Sequence, residues 1–151
     1  MAVNEAGPPR PVPAVLAVVR RGAEVLLVRR ANPPDAGLWG FPGGKLDWGE
    51  TLAAATLREL AEETGVTARH AGLLRVLEVI DPPFHYVLIA SRCLWLAGEP
   101  RPGDDALEAR WCPVKDLAGR RDLSRDVASL AALAMAEAEP ASPPTPGGSA
   151  G

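Results

Sequence analysis

The segment GGKLDWGETLAAATLRELAEETGV, Gly43 to Val66, restricts the fold of this 151-residue chain more than any other stretch. A glycine-rich loop runs straight into Thr51–Thr64, where Ala, Leu, Glu and Arg are good helix formers. Gly65 follows in the position where helices commonly stop. At 100° per residue, Glu59, Glu62 and Glu63 fall within an arc of about 100°. Like charges at these spacings destabilise a helix by about 0.2–0.5 kcal/mol per pair. They also sit toward the C-terminal end, where the macrodipole disfavours negative charge. Something positive must offset both penalties. Arg58, four residues before Glu62, is in reach of a salt bridge, and clustered carboxylate oxygens suit Mg²⁺ or Mn²⁺ rather than zinc. Ala53, Leu57, Leu60 and Thr64 form the adjacent stripe expected to pack on a sheet.

The flanking sequence supplies that sheet. Val12–Arg20 and Glu24–Arg30 are Val- and Leu-rich runs separated by Arg21-Gly22-Ala23, which predicts a strand pair with a tight connection. ANPPDAGLWGFPGG reads as a loop from its Pro and Gly. Leu73–Ile80 and Phe84–Leu96 form a second pair around Asp81-Pro82-Pro83, and Trp111-Cys112-Pro113 a short further strand. Ser124 is placed to cap a last helix, Arg125 to about Glu139, with Val127, Leu130, Leu133 and Ala134 on its inner face. The pattern predicts an α/β fold, a mixed central sheet flanked by helices in an α/β/α sandwich.

Residues 12–138 are expected to form this one domain. The Pro-rich start, 1–11, reads as flexible and the Pro/Gly/Ser-rich tail, 139–151, as disordered. A net charge of −3 gives no electrostatic footprint for nucleic acid. No apolar run approaches the roughly 20 residues a membrane span needs, and the N-terminus lacks a secretory pattern. Cys93 and Cys112 are read as buried free thiols, consistent with a reducing cytoplasm. His85 is read as a packed or edge residue of a strand rather than an acid, and Trp95 and Trp111 as core rather than ligand contacts.

The segment Gly44–Val66 resembles the Nudix box, G-x5-E-x7-R-E-U-x-E-E-x-G-U with U a bulky aliphatic residue. Gly44, Glu50, Arg58, Glu59, Leu60, Glu62, Glu63, Gly65 and Val66 fill every fixed position. The resemblance extends from about Val12 to Leu133. It implies hydrolysis of a nucleoside diphosphate linked to another moiety, by attack of water on phosphorus with divalent metal ions. It further implies Glu62 and Glu63 as principal ligands, Glu59 as a further ligand or the general base, and the Gly43 carbonyl completing the set. Arg58 would orient the carboxylates, and Glu50 would brace the loop–helix junction or touch a second metal. Family members also draw a base or extra ligand from a distant acidic loop. Here Asp104, Asp105 and Glu108 are the candidates, with Asp105 first. Homodimers are common in the family.

Outside the box, RRANPPDAGLWGFPGGK, HYVLIA and GDDALEARWCPVKDL resemble the small ADP-ribose pyrophosphatase branch, and Pro82 stands at the spacing of a proline seen in its members. This implies ADP-ribose as substrate, with nucleoside triphosphates as the alternative and an inactive ligand-binding module as a third reading. Arg29 or Arg30, and Lys45, would meet anionic groups. Trp39 or Phe41 would stack on the base.

Overall fold

The computed structural model describes residues 9–136. Segment 1–8, the expected tail 139–151 and the expected helix end near Glu139 lie outside the described residues. Strand β1 (Val12–Arg21) pairs antiparallel with β2 (Glu24–Arg30) across a turn at Gly22, whose φ of 59° suits a residue without a Cβ. On its other edge β1 runs parallel to β6 (Phe84–Ala97), with Val12 beside Tyr86 and Ala14 beside Leu88. The hairpin of β5 (Thr67–Asp81) and β6 is antiparallel.

Two short strands, β3 (Trp39–Gly40) and β4 (Gly43–Lys45), lie inside what the sequence presents as one loop. β4 joins β1, with Leu16 beside Gly43, and β3 joins β2. β7 (Ala106–Pro113) is longer than the expected Trp111–Pro113 because it pairs with β2 from Glu24 to Arg30. The strands run β3-β2-β1-β6-β5, with β4 on β1 and β7 on β2, in one mixed seven-stranded sheet.

Both faces of that sheet are covered, so the central strands are apolar throughout rather than alternating. Ala17, Val19 and Leu26 pack with Leu60 beneath α1 (Leu52–Thr64), while Val18, Val25 and Leu27 pack with Val127, Leu130 and Ala131 of α2 (Val127–Ala136). The fold is the expected α/β/α sandwich. Leu60 is fully buried, and burying such a side chain contributes about 1.5–3 kcal/mol. This anchors the helix that carries the glutamates.

Two local expectations need correction. The buried stripe of α1 is Ala55, Thr56, Leu60, Glu63 and Thr64, with Ala53 and Leu57 only partly covered. Glu63 belongs to this buried face, where its carboxylate accepts from the Gly43 N–H at 2.6 Å, and Leu57 packs at its edge. Ser124 does not cap α2 with its side chain; its Oγ is buried without a partner. Its N–H binds the Trp39 carbonyl at 2.8 Å, which ties this segment to β3. Asp126 then turns through φ 67°, and the helix starts at Val127. Along its inner face Ala131 is fully buried, whereas Leu133 is only partly so.

Both cysteines are free and buried, as expected. Trp95 and Trp111 pack edge to face at 6.5 Å, each partly buried, under the Arg21 guanidinium. No described helix is long and apolar enough to cross a membrane.

Candidate active site

Helix α1 begins with Thr51, whose Oγ1 accepts from the Ala54 N–H at 3.1 Å, and ends at Gly65 in the left-handed conformation. Between these caps Arg58 gathers the acidic residues. Its Nε and Nη2 donate to the two Glu50 oxygens at 2.7 and 2.8 Å, a bidentate pair. Its Nη1 donates to Glu59 at 3.0 Å and Glu62 at 3.2 Å, and Nη2 also reaches the Lys45 carbonyl. Glu50 in turn accepts from the Asp47 N–H at 2.9 Å, which closes the loop onto the helix. The positive charge that the helix needs is therefore partly its own arginine.

The electrostatics follow from these contacts. The Arg58 hydrogen bonds hold the Glu50 carboxyl down at about 2, and the same pairing pushes the Arg58 guanidinium further up. Burial raises Glu59, against the pull of Arg58. Glu63, only 7% exposed, is pushed up to about 8, chiefly by burial. The Gly43 N–H opposes that rise and the Glu59 charge adds to it; of two smaller contributions, Arg30 opposes the rise and Asp105 adds to it. Burying a carboxylate without a counter-charge is costly, which favours its protonated form.

The loop crosses this cluster at close quarters, against backbone at Gly43 and against the movable Glu59 carboxyl at Gly44. A Cβ on Gly44 would fall inside the Glu59 carboxyl group, and one on Gly43 would overlap the Val15 carbonyl. Gly43 donates its N–H to the Glu63 carboxylate.

A second loop closes the end of α1. The N–H groups of Arg101, Gly103 and Asp104 donate to the carbonyls of Thr64, Glu63 and Glu62 at 3.0, 2.7 and 3.1 Å. These are carbonyls that a helix C-terminus otherwise leaves unpaired. Gly103 passes so close that a Cβ would collide with the Glu62 carbonyl. The loop delivers Asp105, whose φ is 60°, and whose carboxylate accepts from Asn32 at 3.0 Å.

These elements border a cavity of about 560 Å³, within the usual range for small-molecule sites. Gly43, Gly44, Lys45, Glu59, Glu62, Glu63 and Asp105 line it together with Arg30 and Phe41. Other expected residues are not brought there. Arg29 points to the opposite side of β2 and pairs with Glu108 at 2.8 Å. Trp39 is buried in the core beneath α2. Glu50 and Arg58 stand behind the glutamates, and Pro82 lies in the exposed turn between β5 and β6.

Asn32, Asp35, Tyr86 and the Ser124–Asp126 segment also line the cavity, and the sequence marks none of them as site residues. Asp35, Asp105 and Asp126 share left-handed backbone, with φ of 64°, 60° and 67°. Aspartate is among the few non-glycine residues that tolerate this region.

The carboxylates fit a hard divalent cation chemically. Among the described residues, no three acidic, His or Cys side chains are yet grouped to hold one. Glu59 and Glu62 are turned to Arg58 and Glu63 to Gly43, and side-chain rotation would be needed to converge them.

The chain belongs to the NUDIX domain family, whose model matches residues 10–133. It is 35% identical over 109 residues to an ADP-ribose pyrophosphatase of Methanocaldococcus jannaschii, covering 71% of this chain and 64% of that one. It therefore spans somewhat less than two thirds of that relative. It is 38% identical over 99 residues to the 8-oxo-dGTP diphosphatase of Escherichia coli, covering 62% of this chain and 73% of the relative. Among solved structures, the NUDIX domain of Shewanella oneidensis NrtR complexed with ADP ribose superposes with a TM-score of 0.72 at 27% identity. That match covers 89% of this chain and 96% of the other.

Proposed function

We propose that this chain is a pyrophosphohydrolase that cuts ADP-ribose to AMP and ribose 5-phosphate in the presence of Mg²⁺ or Mn²⁺. Glu59, Glu62 and Glu63 would hold the ion, which neutralises charge on the pyrophosphate and lowers the pKa of a bound water. Arg58 sets the direction of Glu59 and Glu62, and Asp105 faces the cluster as the acceptor for the attacking water's proton. Water adds to one phosphorus as its bond to the bridging oxygen breaks, and that oxygen leaves with the other phosphate.

The observation that carries the substrate reading is the rim. Beyond the glutamates, Asn32, Asp35, Asp104, Asp105 and Asp126 line the cavity, and carboxylates outnumber the lining cations Arg30, Lys45 and Arg125. A ribose offers hydroxyl donors to such acceptors. The doubly charged end of a triphosphate would be repelled by them. The Methanocaldococcus relative and the ADP ribose complex support the same choice, while the Escherichia coli relative supports a triphosphate.

The deciding measurement is kcat/KM for ADP-ribose against common and oxidised nucleoside triphosphates under one Mg²⁺ condition. ADP-ribose is expected to be cut fastest. A triphosphate preferred tenfold, about 1.4 kcal/mol in transition-state binding, would replace this reading. No turnover of either class would leave a ligand-binding module.

A second expectation concerns the ion. Since Glu63 keeps its proton up to about pH 8, binding of Mg²⁺ at pH 7 should release close to one proton. Apparent affinity should climb by up to about tenfold per pH unit below pH 8, as metal competes with that proton. Calorimetry in buffers of different ionisation enthalpy reads both. An affinity flat from pH 6 to 8 would remove Glu63 from the ligand set. We place the activity in a reducing compartment, where Cys93 and Cys112 stay as thiols.

A further inference from the structure

The cavity has two chemically distinct halves, divided by β1. One edge of β1 carries β4, with Ala14 beside Lys45 and Leu16 beside Gly43, next to the glutamates. The other edge carries β6, followed by β5. There Leu77, Val79, Tyr86 and Leu88 line the cavity together with Val127 and Leu130 of α2. This half holds no cation and no metal-binding carboxylate among these six residues. Its lining is apolar apart from the Tyr86 hydroxyl, and it adjoins the place where a pyrophosphate would sit.

The aromatic residues that the sequence offers for stacking do not fill that role. Trp39 is enclosed in the core, and Phe41, at the cavity wall, is only 3% exposed. Tyr86 keeps part of its surface open, and Phe84 lies alongside it with centroids 6.0 Å apart and planes 15° apart. Residues 84, 86 and 88 share one face of β6 by strand alternation. Tyr86 and Leu88 of that face line the cavity, while Phe84 borders a smaller neighbouring recess with Pro9–Val12 that Tyr86 also touches.

We propose that Tyr86, flanked by Phe84, is the platform on which the nucleobase of the substrate stacks. The apolar half of the cavity is then the nucleobase subsite, and the acidic rim receives the other end of the substrate. This orientation rests on the pyrophosphohydrolase reading, although the stacking itself does not depend on which nucleotide is cut. Every base has a π-face, so Tyr86 governs affinity for the nucleoside part rather than choice among bases.

The chain contains a single tyrosine, so one set of tyrosine ring resonances in the NMR spectrum belongs to Tyr86 alone. Titration of AMP into the full-length protein with Mg²⁺ should move these resonances upfield, and ribose 5-phosphate should not. Tyr86→Leu should weaken AMP binding about tenfold and Tyr86→Phe by less than about twofold, since the ring and not the hydroxyl makes the stack. Ribose 5-phosphate binding should be the same in all three proteins. The proposal is overturned if saturating AMP leaves the Tyr86 resonances in place, or if Tyr86→Leu weakens AMP and ribose 5-phosphate alike. If the wild type cuts triphosphates instead of ADP-ribose, the substrate reading fails while the AMP titration still decides the role of Tyr86.

Discussion

Glu63→Gln is expected to lower kcat by at least about a hundredfold, since even groups behind a metal's ligands cost about 10–100-fold. Its effect on stability should have the opposite character. A carboxyl whose folded pKa is raised from 4.5 to about 8 contributes stability that is fully present below 4.5. That contribution is lost as pH rises through about 8. Metal-free wild type should therefore lose stability across this window, by at most a few kcal/mol at about 1.4 kcal/mol per pK unit. Glutamine is neutral at every pH and keeps an oxygen for the Gly43 N–H, so the variant should show little of that slope. Thermal unfolding in chelator from pH 5 to 9, beside kcat with Mg²⁺, reads both effects. A variant that unfolds at pH 5 but retains its rate would make Glu63 a structural residue.

Gly44→Ala should be nearly as damaging to turnover, about a hundredfold or more, because the added carbon occupies the place of the Glu59 carboxyl. The cause can be isolated by a double-mutant cycle. In a Glu59→Ala background the three atoms nearest to the added methyl are gone, so Gly44→Ala should cost almost nothing further. If the two losses multiply instead, the glycine serves the backbone or the substrate and not Glu59.

Much of this architecture is legible in the sequence because local signals agree. The continuous apolar runs of β1 and β2 announce strands buried on both faces, and Gly65 marks the helix end. The box places Glu59, Glu62, Glu63 and Arg58 on one helix, so their proximity follows from helical geometry alone.

Other parts depend on partners far away in the chain. The length of β7 comes from its ladder with β2, because Ala106–Arg110 has no strong strand pattern of its own. Ser124 looks like a helix cap by composition, yet its N–H is claimed by the Trp39 carbonyl. Tyr86 was passed over because alternation along a strand does not tell which face meets a cavity. Arg29 and Arg30 were interchangeable for the same reason until Glu108 fixed one of them. The Asp35, Asp105 and Asp126 rim converges from three separate loops, and left-handed backbone at aspartate leaves no spacing pattern to read.

The Arg101–Asp104 loop holds the end of α1 entirely by main-chain groups, with Gly103 needed for its missing side chain. Such a fastening reads chain length and, Gly103 apart, not side-chain identity. The side chains of Asp104 and Asp105 take no part in these attachments, although Asp105, at φ 60°, is limited to the few residues that tolerate left-handed backbone. Substituting them changes what the mouth of the cavity offers a ligand without releasing the helix that carries the glutamates. Inserting a single residue between Arg101 and Asp104 would shift all three attachments at once. On this scaffold a new terminal group can be accommodated by point substitution, whereas loop length is the coordinate that evolution or design must leave alone.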